Sequence, residues 1–209
     1  MQKKIQVLGK IPKKVILACS GGSDSMAALD FMLSGRKEVL VAYFNHGTEH
    51  GKEAEEFIKH YCEERGLKLL MGSCTNQRRS NQSLEEYWRE ERLGWLESIS
   101  KLENAPVVTC HHLDDAVEWW VFSSFHGKSK LIPSQRSPFI RPFLLTRKET
   151  LNSWNVRKEV PWIEDPSNQK IQFMRNYIRH ELIPRVLMVN PGIHKVVARK
   201  IKDSHEKSL

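Results

Sequence analysis

The chain has 209 residues, of which 40% are hydrophobic and 28% charged, with a net charge of +8. No apolar run approaches the roughly 18 residues that cross a bilayer, and the short run at 15–19 leads straight into glycines without a leader-type cleavage pattern, so a cytoplasmic protein without membrane contact is expected. Four scattered cysteines (Cys19, Cys62, Cys74, Cys110) lack CxxC spacing, which argues against a metal–thiolate centre and against a disulfide framework.

In chain order, the β-branched run at 14–19 reads as a strand and 24–33 as a helix, with Ser20-Gly21-Gly22-Ser23-Asp24-Ser25 between them. Paired glycines let the backbone approach an anion closely. Ser20, Ser23 and Ser25 add hydroxyls, and the helix start adds orphan N–H groups and partial positive charge. This is a phosphate cradle, but no Gly-Lys-Ser/Thr follows the glycines and no third glycine completes a dinucleotide fingerprint.

Further strands are expected at 39–44, 67–71 and 107–110, and further helices at 53–65, 84–102 and 113–125. The helix at 53–65 is amphipathic, with Phe57, Ile58 and Tyr61 on one face, and ends at Gly66 in the C-cap position. The next begins after Ser83 with Glu86 three residues on, a capping-box pattern. Past Ser124, Gly127, Pro133, Pro138 and Pro142 mark a loop-rich connection, followed by helical patterns to the end. Alternating strands and helices predict a doubly wound, mainly parallel α/β sheet at 1–145, with a helical C-terminal extension at 146–209 packed on the same domain.

From Lys170 onward nine Lys or Arg face three Asp or Glu. A polyanionic partner and a solvated basic helix face both fit that excess, and charge alone leaves the two open.

In open α/β sheets ligands bind at the carboxyl ends of strands. The first strand delivers the cradle there, the second Asn45-His46-Gly47, and the fourth His111-His112-Leu113-Asp114-Asp115 followed by Glu118. If Leu113 opens a helix, Asp114 and Asp115 stand four and three residues before Glu118, so three carboxylates can converge. They suit a cation, either Mg²⁺ bridging phosphates or an ammonium group. Acids also suit a helix start for dipole reasons alone, and an N-cap is the other role open to Asp114.

Together these segments resemble the tRNA(Ile)-lysidine synthase family, specifically its N-terminal catalytic domain of the PP-loop ATP-pyrophosphatase type. Ser20–Ser25 is similar to that family's nucleotide loop, and Phe44-Asn45-His46-Gly47 to the end of its second strand. Leu84 to Arg92 resembles a family helix carrying two arginines, here Arg89 and Arg92. His111-His112-Leu113-Asp114-Asp115 with Glu118 matches HHxDDxxE, and Arg141-Pro142-Phe143-Leu144 resembles RPLL. Trp162-Ile163-Glu164-Asp165-Pro166-Ser167-Asn168 and Arg175-Asn176-Tyr177-Ile178-Arg179 resemble the family's W-x-E-D-x-S-N and RNxxR. Ala116 and Trp119 stand where the family usually has Gln and Thr, and His126-Gly127-Lys128-Ser129 replaces its Arg-Gly-Ser-Gly-like turn.

The resemblance implies a ligase that adenylates the wobble cytidine of a CAU-anticodon tRNA(Ile) with ATP and Mg²⁺, then joins free lysine to it, giving lysidine, AMP and pyrophosphate. By resemblance Asp115 and Glu118 would bind the lysine amine and His111 the activated base or its phosphate. Asp24 would hold Mg²⁺ or pyrophosphate. Arg175 and Arg179 would approach the adenylate phosphate, with Arg89 or Arg92 as further candidates. The family's additional C-terminal tRNA-binding domains are expected to be absent, with the basic tail (Lys195, Arg199, Lys200, Lys202) as a partial substitute. A homodimer stays open. So do three other readings: another PP-loop enzyme, such as a tRNA thiolase or an amide-forming ligase; a non-catalytic or regulatory RNA-binding relative; and a plain nucleotide-binding module.

Overall fold

The computed structural model describes residues 4–164, 166 and 174–207. Six strands form one sheet in the order β3-β2-β1-β4-β6-β5. They are β1 (Lys14–Ala18), β2 (Glu38–Asn45), β3 (Leu69–Ser73), β4 (Val107–Val108), β5 (Gln135–Arg136) and β6 (Phe139–Ile140). All pairings are parallel except β5 with β6. Ile16 of β1 lies between Leu40 of β2 and Val107 of β4. The chain therefore winds outward from β1 in one direction, then crosses to the other side at β4. That reversal opens a crevice at the carboxyl ends of β1 and β4.

Helices α1 (Ser23–Ser34), α2 (Glu49–Glu64), α3 (Leu84–Glu103), α4 (Leu113–Phe125) and α5 (Lys148–Lys158) cover the sheet. One core joins Val15 and Leu17 to Met26 and Leu29 of α1, Ile58 of α2 and Phe143. On the opposite face Ile16, Leu40 and Val107 meet Leu96 and Ile99 of α3. Alternate residues of β1 thus fill two cores, as expected for a strand buried on both faces. Burying each such side chain contributes about 1.5–3 kcal/mol. A third cluster packs Leu113 and Val117 of α4 against Ile193, Val197 and Ile201 of α8 (Ile193–Glu206). The other face of α8 exposes Lys195, Arg199, Lys200 and Lys202. Between α5 and α8 lie α6 (Met174–Tyr177), a π-helical turn (Ile178–Leu182) and α7 (Ile183–Val189). Among the described residues no helix is long and apolar enough to cross a membrane.

The doubly wound sheet and the helix starting at Leu113 stand as the sequence predicts. Gly66 does follow α2 with a positive φ of 60°. The helix expected at 53–65 begins earlier, at Glu49, because the Thr48 side chain accepts from the Gly51 amide at 3.0 Å and caps it. The strand expected at 107–110 closes after Val108, and the stretch read as loop contains the β5–β6 pair. Two-residue strands are too short to leave a period-2 pattern. Ser83 caps α3 by accepting from the Glu86 amide at 3.1 Å.

Candidate active site

The cradle loop leaves β1 and turns at Gly21, whose φ of +81° is open to glycine at little cost. A Cβ there would also stand 3.3 Å from Ile163 and from Phe57. Gly22 is the N-cap of α1 and offers no side-chain cap, so the first-turn amides stay open. Ser25 does not share that openness. It is buried, its hydroxyl donates to the Gly22 carbonyl at 2.9 Å and accepts from the Ser20 amide at 3.2 Å, so it braces the loop. Ser20 Oγ accepts from the Gly22 amide at 3.4 Å, and Ser23 is half-buried at the head of α1. The Ile163 amide donates to Gly21 O at 3.0 Å, tying the Trp162-Ile163-Glu164 segment to the cradle. Asp165, Ser167 and Asn168 lie outside the described residues.

Asp24 projects from the first turn of α1. Its Oδ2 faces His112 Nε2 at 3.5 Å and Lys148 Nζ at 3.8 Å, while Oδ1 is buried without a partner. An orphaned carboxylate oxygen beside open helix amides fits a Mg²⁺ ion held by one protein ligand, phosphate oxygens and water. Among the described residues no group of three or more His, Cys, Asp or Glu could hold a metal by itself.

Across the crevice, β4 ends and α4 begins with a reciprocal cap that the sequence reading missed. The Asp115 amide donates to His112 Nδ1 at 3.2 Å, and the His112 amide donates to Asp115 Oδ2 at 3.0 Å. Ser or Thr is the usual cue for such a box, so a histidine cap passes unnoticed. Burial works against charge on His112, but Asp115, Asp24 and Asp114 outweigh it and draw its pKa up. The cap nonetheless needs Nδ1 as an acceptor, which leaves the proton on Nε2, facing Asp24.

The three carboxylates of α4 do not converge. Asp114 turns away, accepting from Arg147 Nε at 3.1 Å and the Lys148 amide at 2.8 Å, with His194 Nε2 at 3.2 Å. It pins the start of α5 and α8 onto α4, because a side chain at the second helical position points sideways toward those neighbours. Asp115 and Glu118 do share one face, and two arginines occupy them. Arg179 reaches Glu118 through Nε at 2.7 Å and Nη2 at 3.1 Å, and Asp115 Oδ1 at 3.1 Å. Arg175 Nη2 lies 2.7 Å from the same Asp115 oxygen. Side-chain exposure is 8% for Asp115, 7% for Glu118, 23% for Arg179 and 62% for Arg175. Burial would raise the Asp115 pKa, but His112 and Arg175 outweigh it and hold it at about 2.

His111, between the end of β4 and the start of α4, has Nδ1 3.0 Å from Thr109 Oγ1. Burial first, and then Arg141, Arg175 and Arg92, push its pKa down to about 4 against the pull of Asp115, so it is neutral near pH 7. His46, just past the end of β2, packs at a tilt against Phe44 and Trp88 of α3, and its pKa is likewise lowered to about 4 by burial and then Arg92. Arg89 and Arg92 are exposed on α3, with no carboxylate partner among the described residues. Partial desolvation, then the charges of Arg89 and Arg175, lower the pKa of Arg92. Arg141 donates to Pro133 O at 2.9 Å, its Nε is buried without a partner, and burial followed by Arg89 and Arg136 lowers its pKa. The crevice thus combines two carboxylates with an excess of unpaired guanidinium charge, which suits a polyanion beside a cation.

The PP-loop domain family matches residues 1–186. The chain is similar to curated tRNA(Ile)-lysidine synthases. With that of Lactiplantibacillus plantarum it is 29% identical over 88% of this chain and 44% of that protein. With that of Thermotoga maritima it is 28% identical over 91% of this chain and 49% of that one. The chain therefore spans about half the length of the curated relatives it matches. Among solved structures, a U34-tRNA thiolase from Methanococcus maripaludis with its [4Fe-4S] cluster has a TM-score of 0.75 at 18% identity, covering 94% of this chain and 73% of that chain. An NH3-dependent NAD synthetase from Campylobacter jejuni has a TM-score of 0.55 at 14% identity, covering 96% and 89%. Both likenesses concern the fold. On a match that runs through all six strands of the sheet and both halves of the crevice, the chain belongs to the PP-loop domain family.

Proposed function

We propose that this protein ligates lysine to the wobble cytidine of a CAU-anticodon tRNA(Ile) in an ATP-dependent, AMP-forming reaction. The observation that carries this reading is the buried Asp115–Glu118 pair, on the same crevice as the phosphate cradle and ion-paired with Arg175 and Arg179. Similarity to curated tRNA(Ile)-lysidine synthases supports the tRNA substrate.

In the first step the cytosine O2 attacks the α-phosphorus and pyrophosphate leaves. The amides at Ser23 and Asp24 receive the departing phosphates, and Asp24 Oδ1 would hold Mg²⁺, which when bound neutralises charge on the leaving group. His111, being neutral, can hydrogen-bond the base or the new phosphate without adding charge. In the second step the lysine ε-amine attacks carbon 2 and AMP leaves. About one such amine in a few thousand is uncharged near pH 7, given a reference pKa of about 10.4. Asp115 and Glu118 hold the ammonium and then accept its proton. For this Arg175 and Arg179 swing to the adenylate phosphate, where Arg89 can add charge. Their departure restores basicity to Asp115, because Arg175 is among the charges that hold its pKa at about 2. Substrate binding and base activation become one event.

The test is ATP-dependent transfer of labelled lysine to a tRNA with a CAU anticodon, compared with the same tRNA lacking the wobble cytidine. Label in the first alone is expected. AMP and pyrophosphate released without label would mean a different acceptor or nucleophile, as in other PP-loop enzymes. No turnover would favour a non-catalytic RNA-binding relative.

A further inference from the structure

Helix α4 carries the candidate carboxylates on its first turns and then presents aromatic rings to solvent. Trp119, next to Glu118, is 41% exposed and Phe125 is 71% exposed. The Trp119 ring centroid is 5.7 Å from that of the half-buried Phe122, which in turn is 4.3 Å from that of His126. His126 Nδ1 lies 2.9 Å from Phe122 O, which fixes its ring on the ridge. Apolar ring surface left in water is unfavourable, and exposed rings close together on one surface mark a place of interaction.

Charge identifies the partner. No Asp or Glu occurs between Glu118 and Glu149, a stretch that holds Lys128, Lys130, Arg136, Arg141, Arg147 and Lys148. Arg147 and Lys148 face Asp114 and Asp24, but Lys128, Lys130 and Arg136 are exposed with no ion pair among the described residues. Rings with flat π-faces followed in the chain by unpaired cations match single-stranded nucleic acid.

We propose that the Trp119–Phe122–His126 ring row at the end of α4, with the exposed Phe125 beside it, is a stacking platform for unpaired nucleobases of single-stranded RNA, with Lys128 and Lys130 contacting the adjacent phosphates. This rests on the tRNA reading above and adds to it the surface that would hold the loop around the target nucleotide. Stacking supplies affinity and the lysines supply salt dependence.

The test uses the full chain and a short RNA stem-loop with a CAU loop, with fluorescence anisotropy at several salt concentrations. Trp119→Ala and Phe125→Ala should each weaken binding roughly 5- to 100-fold with little change in salt slope. Trp119→Phe should restore most of the affinity, whereas Trp119→Leu, equally apolar but without a π-face, should not. Lys128→Gln should lower the salt slope by about one. ATP affinity should be unchanged in every variant, which excludes misfolding. A fully paired duplex should bind without sensitivity to Trp119. Equal binding by wild type and Trp119→Ala, or equal affinity of the Leu and Phe variants, would overturn the platform. So would a change of oligomeric state by light scattering on Trp119→Ala, because the ridge would then be a protein contact. If stem-loop binding depends on Trp119 but lysine transfer is not seen, the ligase reading fails and the platform stands. If lysine transfer occurs and Trp119→Ala binds normally, the platform fails alone.

Discussion

The Arg179 guanidinium spans both carboxylate oxygens of Glu118, with Nε to Oε1 at 2.7 Å and Nη2 to Oε2 at 3.1 Å. A fork of this kind on a buried acid is worth more than a surface pair, because leaving either partner alone strands a charge. In a double-mutant cycle of Arg179→Ala with Glu118→Ala, read by urea denaturation, a coupling of about 1–3 kcal/mol is expected. Arg175 is 62% exposed, so its coupling to Asp115 in the same experiment should stay below about 1 kcal/mol. The reverse order would contradict the geometry.

Asp114 should behave as a structural residue although it stands between two candidate site residues. It accepts from the α5 start and from Arg147, with His194 on a third side. Asp114→Ala should cost roughly 2–3 kcal/mol of stability, since a partly buried donor set loses its acceptor. ATP affinity of the folded fraction should not move. Thermal denaturation and calorimetric titration separate the two effects.

Gly21→Ala tests the cradle. The left-handed conformation at φ +81° costs an alanine about 1–2 kcal/mol, and its Cβ would press on Ile163 and Phe57 at 3.3 Å. Reduced stability together with weaker ATP binding is expected. Weaker stability with full ATP affinity would show that the loop does not need this turn to hold phosphates.

The two histidines with pKa values lowered to about 4 make a pH prediction. Above pH 6.5 they are neutral in folded and unfolded chains alike and contribute nothing. Between 6.5 and 4 the unfolded chain binds protons that the folded one refuses, so stability falls as pH drops through that window. His46→Gln should remove on the order of 2 kcal/mol of the loss between pH 7 and pH 4.5 in urea melts. Asp115, with its pKa held at about 2, acts in a separate window: its stabilisation is full above its ordinary carboxylate range and fades only as pH falls toward 2. An unchanged slope in His46→Gln would rule out its burial as the cause.

Residues that meet through the sheet rule are legible in the amino-acid sequence. Ser20–Ser25 and His111–Glu118 emerge at the carboxyl ends of neighbouring parallel strands, so topology alone brings them to one crevice. The roles of Asp114 and Asp115 are not separable in that way, because a helix period puts both near Glu118 and only the α5 and α8 contacts decide which one turns away. The pairing of Arg175 and Arg179 with those acids spans about sixty residues of sequence and leaves no local trace. The β5–β6 pair is hidden for the opposite reason: two-residue strands carry no period of their own.

Asp115 and Glu118 are assigned to receive the amine after activation is complete, and the two half-reactions can be measured apart. Pyrophosphate release without lysine, and lysine transfer with it, would be followed in wild type and Glu118→Gln at saturating ATP and tRNA. The expected result is pyrophosphate release within about threefold of wild type and lysine transfer reduced by about 100-fold or more. Equal loss in both steps, or full lysine transfer by the variant, would contradict the role assigned to the carboxylate pair.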